Sequence, residues 1–573
     1  MLIENLVVAS LILVAAAVAW FGRRQDGPAV AACIAGLIGG AFWIWTGGLR
    51  LIDPREIGWS MRLDWQWHFL GWHMFRHEPW HLPPGRIVTE FFPVGSAIAY
   101  TDSLPLVAFV LKPVAFLLPE PFQYLGAWLL VCYTLQGVCA AVLIRQWTRA
   151  LFSSVAGATL VIFNPVLLNR VGHVALCSHW LILLGFLLYF RRSSLAPARA
   201  VIYWSGLALI ASLIHPYLWL MVMALATAAA ADAWQRGASP GRAAAFLACV
   251  AALGASGAWI SGWFLIGSAN AGSEGFGTLS MNLLGPFAAN GWSAIFGNLP
   301  VNGEQTYEGF NYLGFGAIAL IVIAGLECLR RLPDRRTLRA IAPLGAACGA
   351  LALFALSNRI TFGHYVVAEV PLPKSAEAWL SAARATGRFF WPAGYFLTLM
   401  AIACVVKRCP ARWAGALLTA ATLLQVYDLH AQIRSDRAVR SDPAWYAWDD
   451  LSRDPSWKAA AEGRRHIALI PPDVCGVEAA PYAPLGVFAG RHHLTLNSGH
   501  AARFDLASLR ADCAAVAATI AQGSLDPSTI YVVHPSLIGN LRSASKLPLQ
   551  CWPWSGAWAC IVPQAGPKSQ SLP

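Results

Sequence analysis

Apolar runs long enough to cross a bilayer recur along this chain, and its basic residues fall in every second gap between them. A membrane-crossing helix needs about 20 mostly apolar residues, and cytoplasmic connections collect Lys and Arg. The expected spans are 3–22, 29–46, 121–144, 151–167, 177–190, 199–214, 217–234, 243–266, 309–329, 338–356, 389–406 and 412–427. Six connections carry the cytoplasmic charge bias: Arg23/Arg24, Arg145/Arg149, Arg191/Arg192/Arg199, Arg236/Arg242, the group from Arg330 to Arg339, and Lys407/Arg408/Arg412. The alternate connections 47–120, 167–176, 267–308, 358–387 and 428–573 then face the other side, as do both termini. The stretch 103–119 is apolar but broken by Pro105, Pro113 and Pro119, which suits a helix at the interface rather than a span.

Composition agrees with a lipid solvent. The 573 residues are 57% hydrophobic and 12% charged, with mean hydropathy +0.53, too apolar for an ordinary soluble multidomain protein. A net charge of +12 would suit nucleic acid only if the basic residues clustered on a folded polar face, and here they sit in short loops. Nucleic acid is therefore excluded as a partner and the lipid bilayer is implied. The first run, Leu6 to Phe21, lacks a basic n-region and is followed by Arg23 and Arg24, so it reads as an uncleaved span. The expected fold is an all-α polytopic membrane bundle of about 12 transmembrane helices over 1–427, in a bacterial inner membrane.

After Tyr427 the composition turns polar, and a small α/β extramembrane domain is expected over 428–573, on the periplasmic side. Short β-like runs at His466–Ile470, Leu494–Leu496, Thr529–His534 and Trp558–Val562 surround a helical pattern at Leu506–Gln522. Of 13 cysteines, Cys475, Cys513, Cys551 and Cys560 lie here, and four cysteines in an oxidising compartment permit three connectivities. Cys551 and Cys560 flank the turn-like Trp552-Pro-Trp-Ser-Gly556 and are the favoured pair; ordinary small core residues are the alternative.

Four segments on the far side combine aromatic, ionisable and Gly/Pro residues. Between Arg62 and Trp80, a helix would place Asp64 and His68 one turn apart on one face, with Trp65, Phe69 and Trp72 on the adjoining stripe. The stripe alone is a membrane-interface anchor, but an acid beside an imidazole suits a general base or half of a metal site. Asp102 in Ala99-Tyr-Thr-Asp-Ser-Leu-Pro105 is a second acid, with a helix N-cap as its plain role. The segments 276–287 and 305–314, with Asn311 and Tyr312, carry no Lys or Arg and suit a sugar-binding wall or a packed cap. In the last, Lys374, Arg384 and Arg388 stand against the charge trend. Guanidinium suits phosphate by its bidentate fork, while snorkelling to lipid phosphate is the alternative.

Together the acidic first loop, the bundle and the external C-terminal domain resemble the GT-C class of glycosyltransferases. More closely, Asp64-Trp-Gln-Trp-His-Phe-Leu-Gly-Trp-His-Met-Phe-Arg-His-Glu-Pro-Trp, Tyr-Thr-Asp-Ser-Leu-Pro, Glu308-Gly-Phe-Asn-Tyr-Leu-Gly, Gly387-Arg-Phe-Phe-Trp-Pro and Gln425-Val-Tyr-Asp are similar to an uncharacterised bacterial membrane-protein family grouped with that class. The resemblance implies a polyprenyl-phosphate sugar donor and a cell-envelope glycan or lipid acceptor. It also implies that Asp64 is the base or metal ligand of the first external loop. The usual pair of neighbouring acids is absent, since Trp65 and Gln66 follow, so a divalent metal is left unassigned. A multi-spanning transporter and a non-catalytic membrane protein with a partner-binding periplasmic domain are the alternative readings. Against the first, the ionisable residues gather at one face and no half-repeat is apparent.

Overall fold

The computed structural model describes residues 27–192, 194–266, 275–373, 375–376, 380–475, 481–503 and 505–564, so the expected span 3–22 lies outside it. The chain is mostly helical, with a small sheet near its C-terminus. Among the described residues eight helices are long and apolar enough to cross a membrane: Pro28–Gly47, Leu125–Ile144, Leu151–Gly172, Pro197–Ile214, Pro216–Gln235, Pro240–Ile260, Arg335–Ala355 and Thr386–Arg408. The expected spans 177–190 and 309–329 correspond to shorter helices, Trp180–Phe190 and Phe315–Arg330. The expected boundary at 427 falls inside a continuous 31-residue helix, Ala411–Ser441.

Two compact units divide the chain. One draws its described residues from Met1–Asp53, Tyr124–Gly257 and Glu274–Trp445, the other from Pro54–Gln123, Ala258–Ser273 and Tyr446–Pro573.

In the first unit, proline starts and separates the helices. Pro28, Pro197 and Pro216 occupy first-turn positions, where the missing N–H costs nothing and the fixed φ favours the helix. At the junction of Pro197–Ile214 with Pro216–Gln235, His215 closes one helix and caps the next, its Nδ1 accepting from the Tyr217 N–H at 3.2 Å. Small residues let backbones touch: a Cβ at Gly39 would stand 2.1 Å from the Tyr133 carbonyl, and one at Gly137 would stand 2.2 Å from that of Ala35. Helix packing in lipid relies on such close approach. Asp232, buried within Pro216–Gln235, is paired with Arg192 at 2.6 Å and Arg236 at 2.7 Å.

In the second unit, five strands form one sheet: β1 (His466–Ile470), β2 (Thr495–Leu496), β3 (Thr529–Val533), β4 (Gln550–Trp554) and β5 (Ala557–Ile561). Their order is β2-β1-β3-β5-β4; β1 is parallel to β2 and β3, and the β3–β5 and β5–β4 pairs are antiparallel. Ser555 and Gly556, both at positive φ, make the two-residue turn of the β4–β5 hairpin, a geometry that follows the twist of the strands. The Leu506–Gln522 helix begins at Asp505, whose side chain accepts from the Ser508 N–H, and ends at Gly523 in the left-handed region. Disulfides join Cys475 to Cys513 and Cys551 to Cys560, the latter directly across the hairpin.

The first long connection belongs to this unit too. Its backbone extends the sheet edge beside β2, with Leu496 N–H donating to the Thr89 carbonyl at 2.8 Å and Phe92 N–H to that of Leu496 at 3.0 Å. Pro105–Leu111 continues as a 3-10 turn, Lys112–Leu117, that leaves Val110, Phe116 and Leu117 exposed.

Candidate active site

Asp64 immediately precedes the Trp65–Phe75 helix, and His68 sits one turn along it. His68 is fully buried, and its Nδ1 lies 2.7 Å from the Asp102 carbonyl oxygen. A carbonyl only accepts, so Nδ1 carries the hydrogen and Nε2 the lone pair. Asp102 (φ 53°) and Leu104 (φ 52°) hold left-handed backbone conformations that aim this carbonyl at the helix. Leu104 rather than Asp102 stands at the N-terminus of Pro105–Leu111. Gly71 permits the approach: a Cβ there would lie 2.1 Å from Thr101 Oγ1 and 2.5 Å from Ser103 Oγ. The acid, the imidazole and the Asp102 turn are thus gathered in one place.

Half-buried Asp64 accepts from the Trp67 indole N–H at 3.3 Å. The Trp67 ring in turn stacks on His500 (centroids 3.8 Å apart) and lies parallel to Tyr482 (5.6 Å). His500 and Tyr482 are contributions the sequence did not flag, because their link to Asp64 spans more than 400 residues. An acid beside flat aromatic faces can take a proton from a bound hydroxyl while a sugar face lies on the rings.

The first unit holds a second charged group, built around Glu308. Arg388 grips its carboxylate in bidentate fashion, Nε to Oε2 at 2.8 Å and an Nη to Oε1 at 2.6 Å. Arg170, fully buried, donates to Oε2 at 3.1 Å, and His173 Nε2 lies 3.6 Å from Oε1. The two guanidiniums also lie over aromatic rings, Arg388 over Tyr217 at 4.9 Å and Arg170 over Tyr307 at 4.8 Å. Burial pushes the Glu308 carboxyl up, but Arg388 and Arg170 more than offset it and hold it well below the usual carboxylate range.

The remaining predicted residues fall as follows. Arg384 lies just before the 3-10 turn Thr386–Phe390, while Lys374 lies outside the described residues. Asn311 is buried, its amide donating to the carbonyls of Gly309 and Gly387 at 3.1 and 2.9 Å, so it pins the loop bearing Arg388. Tyr312, also buried, donates to Asp428 Oδ2 at 2.7 Å. Both are engaged within the fold. Glu308 and Arg170 were not among the predicted site residues; a lone acid in a segment free of Lys and Arg was the signal available for Glu308.

Among the described residues, three potential ligands of the His, Cys, Asp and Glu type converge at His73, His77 and Glu120, and Asp64 is not one of them.

Two family profiles match the chain: one described as "Domain of unknown function (DUF6311)" over residues 36–430, and one described as "DUF6311 C-terminal domain" over 456–562. No curated protein matches. Among solved structures, the chain is similar to the archaeal oligosaccharyltransferase AglB from Archaeoglobus fulgidus in complex with an inhibitory peptide and a dolichol-phosphate. That likeness has 12% identity and a TM-score of 0.39, and it covers 82% of this chain but 64% of that one.

Proposed function

The chain belongs to the DUF6311 family, and from the chemistry of its acid site we propose that it is a membrane glycosyltransferase of the GT-C class. In this reading it moves a sugar from a polyprenyl-phosphate carrier to a cell-envelope glycan or lipid on the periplasmic face of a bacterial inner membrane. The observation that carries the proposal is Asp64 itself: an acid at a helix start, beside a tryptophan stacked on further rings, one turn from an imidazole of fixed tautomer.

A lipid phosphate leaves without needing a proton, so the chemistry requires a base for the incoming hydroxyl and positive charge for the departing oxygen. Asp64 takes the hydroxyl proton as the new glycosidic bond forms, and the bond to the carrier phosphate breaks on the opposite side, inverting the anomeric centre. His68, buried one turn along the same helix, orients Asp64. Arg388 is assigned to the donor phosphate, with Arg384 and Lys374 as further cations. No step runs through a metal.

In membranes supplied with a lipid-linked sugar, Asp64→Asn should lower transfer by about 10²–10⁴-fold, the usual worth of a positioned general base. Arg388→Ala should lower it as well, with unchanged amounts of both variants in the membrane. Full turnover in both refutes the assignment. Uptake of a labelled solute by reconstituted protein, without sugar transfer, would make it a transporter instead.

A further inference from the structure

At the far end of the Trp65–Phe75 helix, away from Asp64 in sequence, His73 and His77 stand one turn apart and face Glu120, with one ligand atom of each residue within 4.8 Å of the others. His73 is fully buried. Its Nε2 lies 3.0 Å from the Val487 carbonyl oxygen, so Nε2 carries the hydrogen and Nδ1 the lone pair. That Nδ1 meets no hydrogen-bond donor, and it faces Glu120 Oε1 at 3.3 Å. A nitrogen lone pair aimed at a carboxylate oxygen is repulsive unless a proton or a metal cation lies between them.

The spacing fits a metal cation. With bonds of about 2.0–2.1 Å, the ligand atoms of a tetrahedral zinc site stand about 3.3–3.4 Å apart. His73 Nδ1 lies 3.3 Å from Glu120 Oε1, and His77 Nε2 lies 3.2 Å from Glu120 Oε2, to which it hydrogen-bonds, so the two imidazoles meet the two oxygens of one carboxylate at near-ligand spacing. Donation of the distal His73 nitrogen to a backbone carbonyl is the usual outer-shell support that orients a histidine ligand. Buried Arg76 also pairs with the carboxylate, an Nη lying 3.2 Å from Oε2 and donating to the Pro119 carbonyl at 2.9 Å. The His77 and Glu120 side chains are 24% and 32% exposed, so one side of the cluster is open to exchange, with the His493 ring 5.0 Å from that of His77 at the rim.

We propose that His73, His77 and Glu120 bind one divalent cation of the zinc class. The ion ties the end of the first-loop helix to the turn that precedes Pro121, and it is separate from Asp64 in ligand set and independent of the transferase reading.

The test uses the full-length chain in detergent, stripped with chelator, reloaded with zinc and dialysed. About one zinc per chain by elemental analysis is expected, together with a rise in thermal midpoint on loading. Cobalt in place of zinc should give the visible absorption of a tetrahedral site. His77→Ala and Glu120→Gln, both at partly exposed positions that spare the buried ring, should lose the metal, the thermal rise and the cobalt spectrum, whereas Asp64→Asn should keep all three. Wild type that retains no zinc and shows no thermal response overturns the proposal. Metal that persists in both His77→Ala and Glu120→Gln overturns it equally.

Discussion

Glu308 and Glu90 are both carboxylates withdrawn from water, and their neighbours drive them in opposite directions. Glu308 meets two guanidiniums and stays charged far into acid. An acid depressed in this way contributes stability above its ordinary value of 4.5, and that stability is lost only as pH falls towards the folded value. Glu308→Gln would leave Arg170 and Arg388 without their counter-ion, and breaking such a pair costs about 3–5 kcal/mol. The variant should melt well below wild type in detergent at neutral pH; an unchanged midpoint would show the cluster to be solvated. Glu90, 3% exposed, is pushed up to about 8, first by burial and then by Glu78. It is uncharged when folded at neutral pH, so the folded state binds the extra proton between 4.5 and about 8. Stability should therefore fall as pH rises across that window, by at most about 1.4 kcal/mol per pH unit. Glu90→Gln should flatten the profile of thermal midpoint against pH, and a profile identical to wild type would count against a buried neutral acid.

Between elements, the contact between the Trp65–Phe75 helix and the Thr101–Ser103 turn decides the geometry of the acid site. Gly71 is the point of closest approach, and an added Cβ meets Thr101 on a fully buried face. Gly71→Ala should cost about 1–3 kcal/mol by overpacking and shift His68 from the Asp102 carbonyl. A drop in both thermal midpoint and transfer is expected, and unaltered transfer would mean that His68 does not orient Asp64. The same contact explains what the sequence made legible here. That Asp64 and His68 share a helical face follows from spacing alone, and so does the apolar character of the spans, since both are local properties. Asp102 read as a helix cap because Thr-Asp-Ser before a proline is cap-like. Its backbone is left-handed and its carbonyl meets His68 of a helix 34 residues earlier, which no local pattern reports. The pairing of Glu308 with Arg170 and Arg388 is equally non-local, at sequence separations of 138 and 80.

At the scale of the whole molecule, the unit that carries the sheet is assembled from three stretches of chain, and its C-terminal stretch is incomplete without the others. Thr89 and Phe92 bond to the edge strand through Leu496, and Phe91, Ala97 and Tyr100 share an apolar cluster with Ala501 and Leu509. If that unit faces the periplasm, Cys475–Cys513 and Cys551–Cys560 form by oxidation there, after both the first connection and the C-terminal stretch have crossed. Cys33, Cys132, Cys139, Cys177, Cys249, Cys328, Cys348, Cys404 and Cys409 are in no disulfide. The chain taken from cells, denatured under acid quench and treated with a mass-tagging maleimide, should therefore leave four cysteines unlabelled until a reductant is added. In cells deprived of periplasmic thiol oxidation all 13 should label at once. No protected cysteine in either background would place the C-terminal stretch on the cytoplasmic side and remove the periplasmic acceptor from the proposed reaction.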